Sequence, residues 1–159
     1  MIEFYQDVIR PFLFQYDPEW THSLAVRGAS LFGRISALRA GIEAAYRFED
    51  PALEIDLCGI GMANPVGLAA GYDKSGTAID CLAAFGFGHV EIGSVSIDPS
   101  DGNPRPRLFR LPTDRAVVVH YGLQNDGAEP VRGRLRERRT HAPVGTNIVK
   151  TNRGIDAPS

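Results

Sequence analysis

The sequence predicts an α/β chain: a pair of apolar-faced helices, then strands that alternate with helices in a parallel sheet. Three observations predict it. Residues 1–38 repeat apolar side chains at helical spacing. The stretch Asn64 to Lys74 holds a short apolar run, Val66 to Ala70, that passes through glycine to a charged residue. A helical stretch then leads to a second apolar run, His89 to Val95. A strand, a helix and a strand in that order form a βαβ unit, whose strands run parallel.

The composition sets outer limits. The chain has 159 residues, is 43% hydrophobic and 23% charged, and carries a formal net charge of −2. That length suits one domain. The near-neutral balance gives no reason to expect a nucleic-acid partner. Cys58 and Cys81 lack metal-type spacing and suggest no disulfide framework, so both are expected as small buried hydrophobes. His22, His89, His120 and His141 are scattered without acidic or cysteine partners at ligand spacing, and no metal site is expected. No apolar run approaches the ~20 residues of a spanning helix. Glu3 and Asp7 argue against an organelle transit peptide, which is arginine-rich and acid-poor.

The first helix places Phe4, Tyr5, Val8, Ile9, Phe12 and Leu13 along one face, with Pro11 expected to kink or interrupt it. Asp17-Pro18-Glu19 is a helix start: Asp as N-cap, Pro in the first turn, Glu favourable to the helix dipole. The second helix carries Leu24, Leu31, Ile35 and Leu38 on one side, with Arg27, Arg34 and Arg39 as cations. This hairpin either packs on its own domain or dips its apolar mouth into a membrane surface with the arginines at the headgroups. Leu53 to Met62 alternates apolar and acidic residues as a half-exposed strand, with Gly59 and Gly61 turning it into a short returning strand.

Gly67 to Lys74 is expected as a strand, and the apolar run Val66 to Ala70 is of the kind covered on both faces. The small residues Gly67, Ala69, Ala70 and Gly71 leave room for something flat and bulky against the backbone. Lys74 then stands at the strand's carboxyl end, where α/β enzymes place their chemistry; the plainer alternative is a core strand with a surface lysine. A helix is expected over Thr77 to Phe85, ended by Gly86 as a C-cap. Gly86-Phe87-Gly88 lies between a helix and a strand, the wrong order for a dinucleotide loop. Ser96 to Asp114 reads as one long loop rich in proline and arginine, and a loop of that length in a compact domain is usually functional or disordered. Val117 to Val119 is a short apolar strand, Ala128 to Arg139 a helix whose arginines form a solvated face, and Val144 to Val149 a further strand.

Several motifs now stand in order: Asn64-Pro65-Val66-Gly67-Leu68-Ala69-Ala70-Gly71-Tyr72-Asp73-Lys74, then Gly86-Phe87-Gly88-His89-Val90-Glu91-Ile92-Gly93-Ser94-Val95, then Asp101-Gly102-Asn103-Pro104-Arg105-Pro106-Arg107-Leu108-Phe109-Arg110-Leu111-Pro112, then Tyr121-Gly122. In this order and spacing they closely resemble the class 2 dihydroorotate dehydrogenases, the quinone-linked flavoenzymes of pyrimidine synthesis. The resemblance runs from about Pro11 to Ala157. Phe14-Gln15-Tyr16-Asp17-Pro18-Glu19-Trp20-Thr21-His22 resembles the start of that family's second hairpin helix and points to the quinone-linked class.

The resemblance implies a fold and a chemistry. Residues 1–40 would be an N-terminal helical hairpin that forms a quinone tunnel and a peripheral anchor on a bacterial cytoplasmic membrane. Residues 41–159 would be the first part of a (β/α)8 barrel, about three of its strands, with the Leu53–Met62 hairpin closing the bottom. Dihydroorotate would be oxidised to orotate with FMN as cofactor and a quinone as the later acceptor. Ala70, Gly71, Tyr72, Asp73, Lys74, Ser94 and Asn147 would contact the cofactor. Lys74, His120, Tyr121, Gly122 and Leu123 would contact the substrate. The family's catalytic base serine and its flavin-phosphate site would fall beyond Ser159. The chain alone is therefore expected to be inactive, and its open barrel edges to need self-association or a second chain.

Val119, Gln124 and Val149 are among the positions that depart from the family pattern. Val119 stands where the family has a substrate-binding asparagine, and Val149 replaces a glycine beside the flavin. A site built to hydrogen-bond its substrate loses heavily when a partner is removed. These changes keep two alternatives open, a degenerate remnant without catalysis and a membrane-associating module.

Overall fold

The computed structural model describes residues 4–150. Helix α1, Tyr5–Ile9, is wound with π-type hydrogen bonds and runs into a short α-helix, α2, Arg10–Leu13. Pro11 lies in the first turn of α2, where its missing N–H is tolerated. Helix α3, Pro18–Arg34, starts as its sequence requires, with the Asp17 carboxylate accepting from the Trp20 N–H at 2.8 Å. The expected single second helix is in fact two. The backbone turns extended at Ile35, and α4, Ser36–Tyr46, begins there, so Leu38 belongs to a different helix from Leu24 and Leu31. The boundary expected at residue 40 consequently falls inside α4.

Strands β1, Ile55–Leu57, and β2, Ile60–Met62, form an antiparallel hairpin. Its turn is Cys58-Gly59, both at positive φ, with the Asp56 carboxylate accepting from the Gly59 N–H at 2.9 Å. Gly61 instead pairs with Asp56 inside the ladder. Cys58 is exposed at this turn, contrary to the expectation of burial, while Cys81 is buried. The strands themselves lie mostly exposed.

The parallel sheet has the order β3–β4–β7, with β3 at Gly67–Leu68, β4 at His89–Val95 and β7 at Val144–Ile148. Helix α5, Ile79–Ala84, joins β3 to β4, and Gly86 caps it at positive φ. Helix α6, Ala128–Glu137, precedes β7. The core is built on β4. Val90 and Ile92 are fully buried, packed with Ala78, Ile79 and Leu82 around α5 and with Val131 of α6. Val26 and Ala29 bring α3 onto the same core, so the N-terminal helices share it with the sheet.

Two expectations change here. Strand β3 is only two residues long, not eight, and Val66 and Ala69 are exposed rather than covered on both faces. The chain leaves the ladder after Leu68 because Gly71 adopts φ +107° and the Asp73 side chain holds the following turn. The long loop after β4 also contains a strand. Leu108–Leu111, β5, pairs antiparallel with Ala116–Val119, β6, in a mostly exposed hairpin. Its arginine and proline content hid a four-residue ladder.

The first turn of β4 is packed against the chain before β3. The Gly88 N–H donates to the Val66 carbonyl at 2.8 Å, and a Cβ at Gly88 would lie 1.8 Å from the Asn64 carbonyl oxygen. Gly88→Ala must therefore move backbone. Its cost should fall at the upper end of the ~1–3 kcal/mol typical of overpacking, read as a lowered urea midpoint; an unchanged midpoint would contradict the tight contact.

Candidate active-site cleft

Lys74 leaves the sheet at the carboxyl end of β3, in the turn that leads to α5. That turn is fixed by Asp73, which is 1% exposed. Its carboxylate accepts from the Thr77 N–H at 2.8 Å, the Thr77 hydroxyl at 3.2 Å and the Ala78 N–H at 2.7 Å. Its backbone carbonyl accepts from Gly93 N–H of β4 at 3.2 Å. Charge-assisted bonds of this kind satisfy the free N–H groups at a helix start. Asp73, expected at the cofactor, thus spends both oxygens on the backbone beside Lys74.

The Lys74 ammonium lies 4.0 Å from the centroid of the Tyr121 ring. Such a cation–π contact contributes ~0.5–2 kcal/mol, more as it is desolvated. Arg107 approaches the same ring, its guanidinium carbon 5.3 Å from the centroid. The Tyr121 hydroxyl is buried and has no hydrogen-bond partner among the described residues. Behind Arg107 stands Glu19 of α3. Arg107 Nη2 donates to Glu19 Oε1 at 2.7 Å, and Nε donates to both carboxylate oxygens at 3.2 and 3.1 Å. The two side chains are 4% and 7% exposed, and Arg105 adds a third charge at 3.0 Å.

Burial lowers the proton affinity of Lys74 below that of an ordinary lysine, with Arg107 acting the same way and Glu19 and Asp73 opposing it. His22, edge-on to Tyr72 at 5.1 Å, is held below an ordinary imidazole by burial first and then by Lys74.

The cleft in front of Lys74 has a volume of about 590 Å³ and is lined by Ser100, Asn103, Arg105, Arg107 and Gln124 among others. Asn125 ties its walls together. It exchanges both backbone hydrogen bonds with Ser100 at 2.9 Å, and its side chain bonds Ser96 and the Gly127 N–H.

The expected site residues divide. Ala70, Gly71 and Tyr72 form the turn leading to Lys74, and at Gly71 a Cβ would meet nothing within 4 Å. Ser94 is half-buried on β4, and Asn147 is exposed on β7 beside Gly93, whose Cβ would strike the Asn147 carbonyl oxygen at 2.6 Å. Tyr121 meets Lys74. Gly122, at positive φ, packs on Asn103, and Leu123 also takes positive φ. The His120 ring stacks on Phe109 of the β5–β6 hairpin, outside the cleft lining. Sequence reasoning missed Glu19, Arg105 and Arg107. Glu19 read only as a helix-dipole residue and the arginines only as part of a polar loop; no spacing rule joins positions so far apart.

The match of sequence to known proteins decides the family. Residues 52–157 match the family model of dihydroorotate dehydrogenase. The chain belongs to the dihydroorotate dehydrogenase family. It is 46% identical over 144 residues to the dihydroorotate dehydrogenase (quinone) of Roseiflexus sp. (strain RS-1), covering 90% of this chain and 40% of that one. It is 44% identical to the enzyme of the same name from Corynebacterium diphtheriae, covering 87% of this chain and 38% of that one. The crystal structure of DHODH from Eimeria tenella in complex with ferulenol superposes with a TM-score of 0.70 at 34% identity, covering 85% of this chain and 36% of that one. The chain thus spans about two fifths of the length of the curated relatives it matches. Strands β3, β4 and β7 with α5 and α6 correspond to the leading part of a (β/α)8 barrel, and the described residues form no closed barrel.

Lys74 gives a pH-dependent test. Its proton affinity is lowered on folding, so the unfolded chain binds more protons between the folded and ordinary lysine pKa values. Stability then rises with pH through that window, and the penalty is fully present below it. Lys74→Met should raise the melting temperature at neutral pH and reduce the gain seen on going to alkaline pH. An unaltered pH profile would contradict the burial of the charge.

Proposed function

We propose that this chain carries the ring-side and substrate-cation part of a quinone-linked dihydroorotate dehydrogenase site. The observation that carries the reading is the desolvated Lys74 ammonium at the carboxyl end of a parallel strand, beside a cleft lined by Arg105, Arg107, Asn103 and Gln124. The substrate proposed is dihydroorotate, an anion at neutral pH, and the product orotate.

The cofactor proposed is FMN. The residues present fit its ring side, since Gly71 carries no side chain and a Cβ there would meet nothing within 4 Å, leaving open space against the backbone. Ser94 and Asn147 supply polar groups on the two neighbouring strands. When bound, FMN supplies the hydride acceptor. The chain's own residues do the rest. Lys74 holds the substrate carboxylate and stabilises negative charge that develops near it. Asp73 fixes the turn so that this cation needs no rearrangement to act. We infer from the family resemblance that the proton-abstracting serine and the phosphate-binding residues are not among these 159 residues, so residues 1–159 by themselves are proposed to be inactive. Val119, exposed on β6, Gln124 and Val149 favour the alternative of a remnant that has lost catalysis.

Titration of FMN, then orotate, into the isotopically labelled chain tests this. Amide signals of Ala70 to Lys74, Ser94 and Asn147 should shift saturably with FMN, and the Lys74 and Gln124 signals should move further with orotate. Absence of any shift at millimolar FMN would sink the cofactor assignment, and turnover of dihydroorotate by the isolated chain would overturn its proposed inactivity.

The helical N-terminal segment is proposed to serve quinone access at a membrane surface. Among the described residues no helix is long and apolar enough to cross a membrane. Phe4, Val8, Phe12, Trp20, Leu24 and Leu31 are all exposed, an apolar concentration suited to a peripheral surface contact. A second cleft of about 470 Å³ opens between this segment and the β5–β6 hairpin, lined by Tyr5, Arg10, Phe14, Arg110 and Val117. Arg110 spans it, donating to the Tyr16 carbonyl at 2.9 Å with its guanidinium carbon 4.4 Å from the Phe14 ring centroid. The chain should sediment with anionic liposomes, and replacing Phe4, Val8 and Phe12 together by serine should reduce binding at least about tenfold, given ~0.8 kcal/mol per buried methylene. Equal sedimentation of the two forms would remove the membrane assignment.

A further inference from the structure

We propose that Glu19 is a positioning residue for this cleft: through buried Arg107 it holds the Tyr121 ring over the Lys74 ammonium, so that helix α3 sets the geometry of the substrate cation. Glu19 and Arg107 are 88 residues apart in sequence. Their pairing uses the two-pronged fork of the guanidinium, which fixes orientation as well as distance.

The remaining Arg107 nitrogen faces the other way. Nη1 donates to the carbonyls of Asp101 at 2.5 Å and Asn103 at 2.8 Å, and reaches the Tyr121 carbonyl at 3.5 Å. The loop at 101–103 is in turn locked to the one at 120–122. Asn103 N–H donates to the Tyr121 carbonyl at 2.8 Å, and Asn103 Nδ2 donates to the His120 carbonyl at 2.8 Å. A Cβ at Gly102 would lie 2.1 Å from the Tyr121 carbonyl oxygen. One carboxylate on α3 therefore orients one guanidinium, and that guanidinium holds the 120–122 loop that carries Tyr121 together with the 101–103 loop locked to it.

The Tyr121 hydroxyl has no partner among the described residues, so none of them fixes the ring by a hydrogen bond at its far end. Its position follows from its backbone and from the cations at its face. The charged and titratable groups around Lys74 are Glu19 and His22 of α3, Asp73 of its own turn and Arg107 of the loop. Glu19 is the carboxylate of this set that comes from another element. The inference rests on the proposed reading of the cleft for its functional meaning, but its readout needs neither flavin nor turnover, so the two can fail separately.

The chain has two lysines, Lys74 and Lys150. Carbon-13 labelling of lysine therefore gives two ε-methylene signals. The Tyr121 ring should displace the Lys74 signal upfield of that of Lys150, and Tyr121→Leu, which abolishes the ring current, sets the full size of the displacement. Glu19→Gln should lose most of it while the methyl signals of Val90, Ile92 and Val131 stay in place. Glu19→Asp should keep more than Glu19→Gln, and the exchanged pair Glu19→Arg with Arg107→Glu should restore part. Full displacement in folded Glu19→Gln would overturn the proposal. Should that variant not fold, Arg107→Lys decides: it keeps the charge but not the fork, and is expected to lose the displacement, whereas full retention would overturn the proposal.

Discussion

The arrangement of this chain depends on the burial of one carboxylate. Asp73 has almost no exposure, and both its oxygens are taken by backbone and hydroxyl donors at the start of α5. Its own carbonyl receives the Gly93 N–H of β4. A buried charge is costly unless fully hydrogen-bonded, and here the bonds that satisfy it also define the turn. Strand β3 can stop after two residues because this turn, not a longer ladder, connects it to α5 and β4. Lys74 inherits its place from the same turn.

A second buried charge joins the two ends of the fold. Glu19 belongs to α3, whose Val26 and Ala29 already pack on the core built by β4. Arg107 belongs to the segment between β4 and β5. Removing one partner of a buried ion pair typically costs ~3–5 kcal/mol, because the other charge is left unsatisfied. The pair therefore fastens the mouth loop to α3, while Arg110, bonded to the Tyr16 carbonyl, fastens the β5–β6 hairpin to the segment before it. The N-terminal helices and the cleft are thus one connected structure, through Arg107 of the loop before β5 and Arg110 of β5.

The sheet itself is open. Among the described residues β7 has no neighbour on its outer side, and Ile148 on it is 82% exposed, as is Ile97 in the loop just after β4. Such an edge, with its free N–H and C=O groups and apolar side chains, is a template for pairing. The relatives of this chain are more than twice its length, and a (β/α)8 barrel covers these surfaces by closing on itself.

Much of this was legible in the sequence. Helical periodicity and the Asp17-Pro18 cap located α3, the apolar run His89–Val95 located β4, and Gly86 marked the end of α5. These signals are local, and local backbone preferences act over a few residues. The ordered motifs carried the family and the place of Lys74. Other features came only from tertiary structure. The break at Ile35 is preceded only by Gly33, and a single glycine inside a helical pattern is tolerated and does not by itself mark an end. The short ladder of β5 lies in a stretch whose composition reads as loop. The environment of Lys74 is made by Glu19, Arg107 and Tyr121, which meet only after the chain has folded. Charge pairing over such separations leaves no periodic trace, because its partners are chosen by the packing of α3 on the sheet and not by their neighbours in sequence.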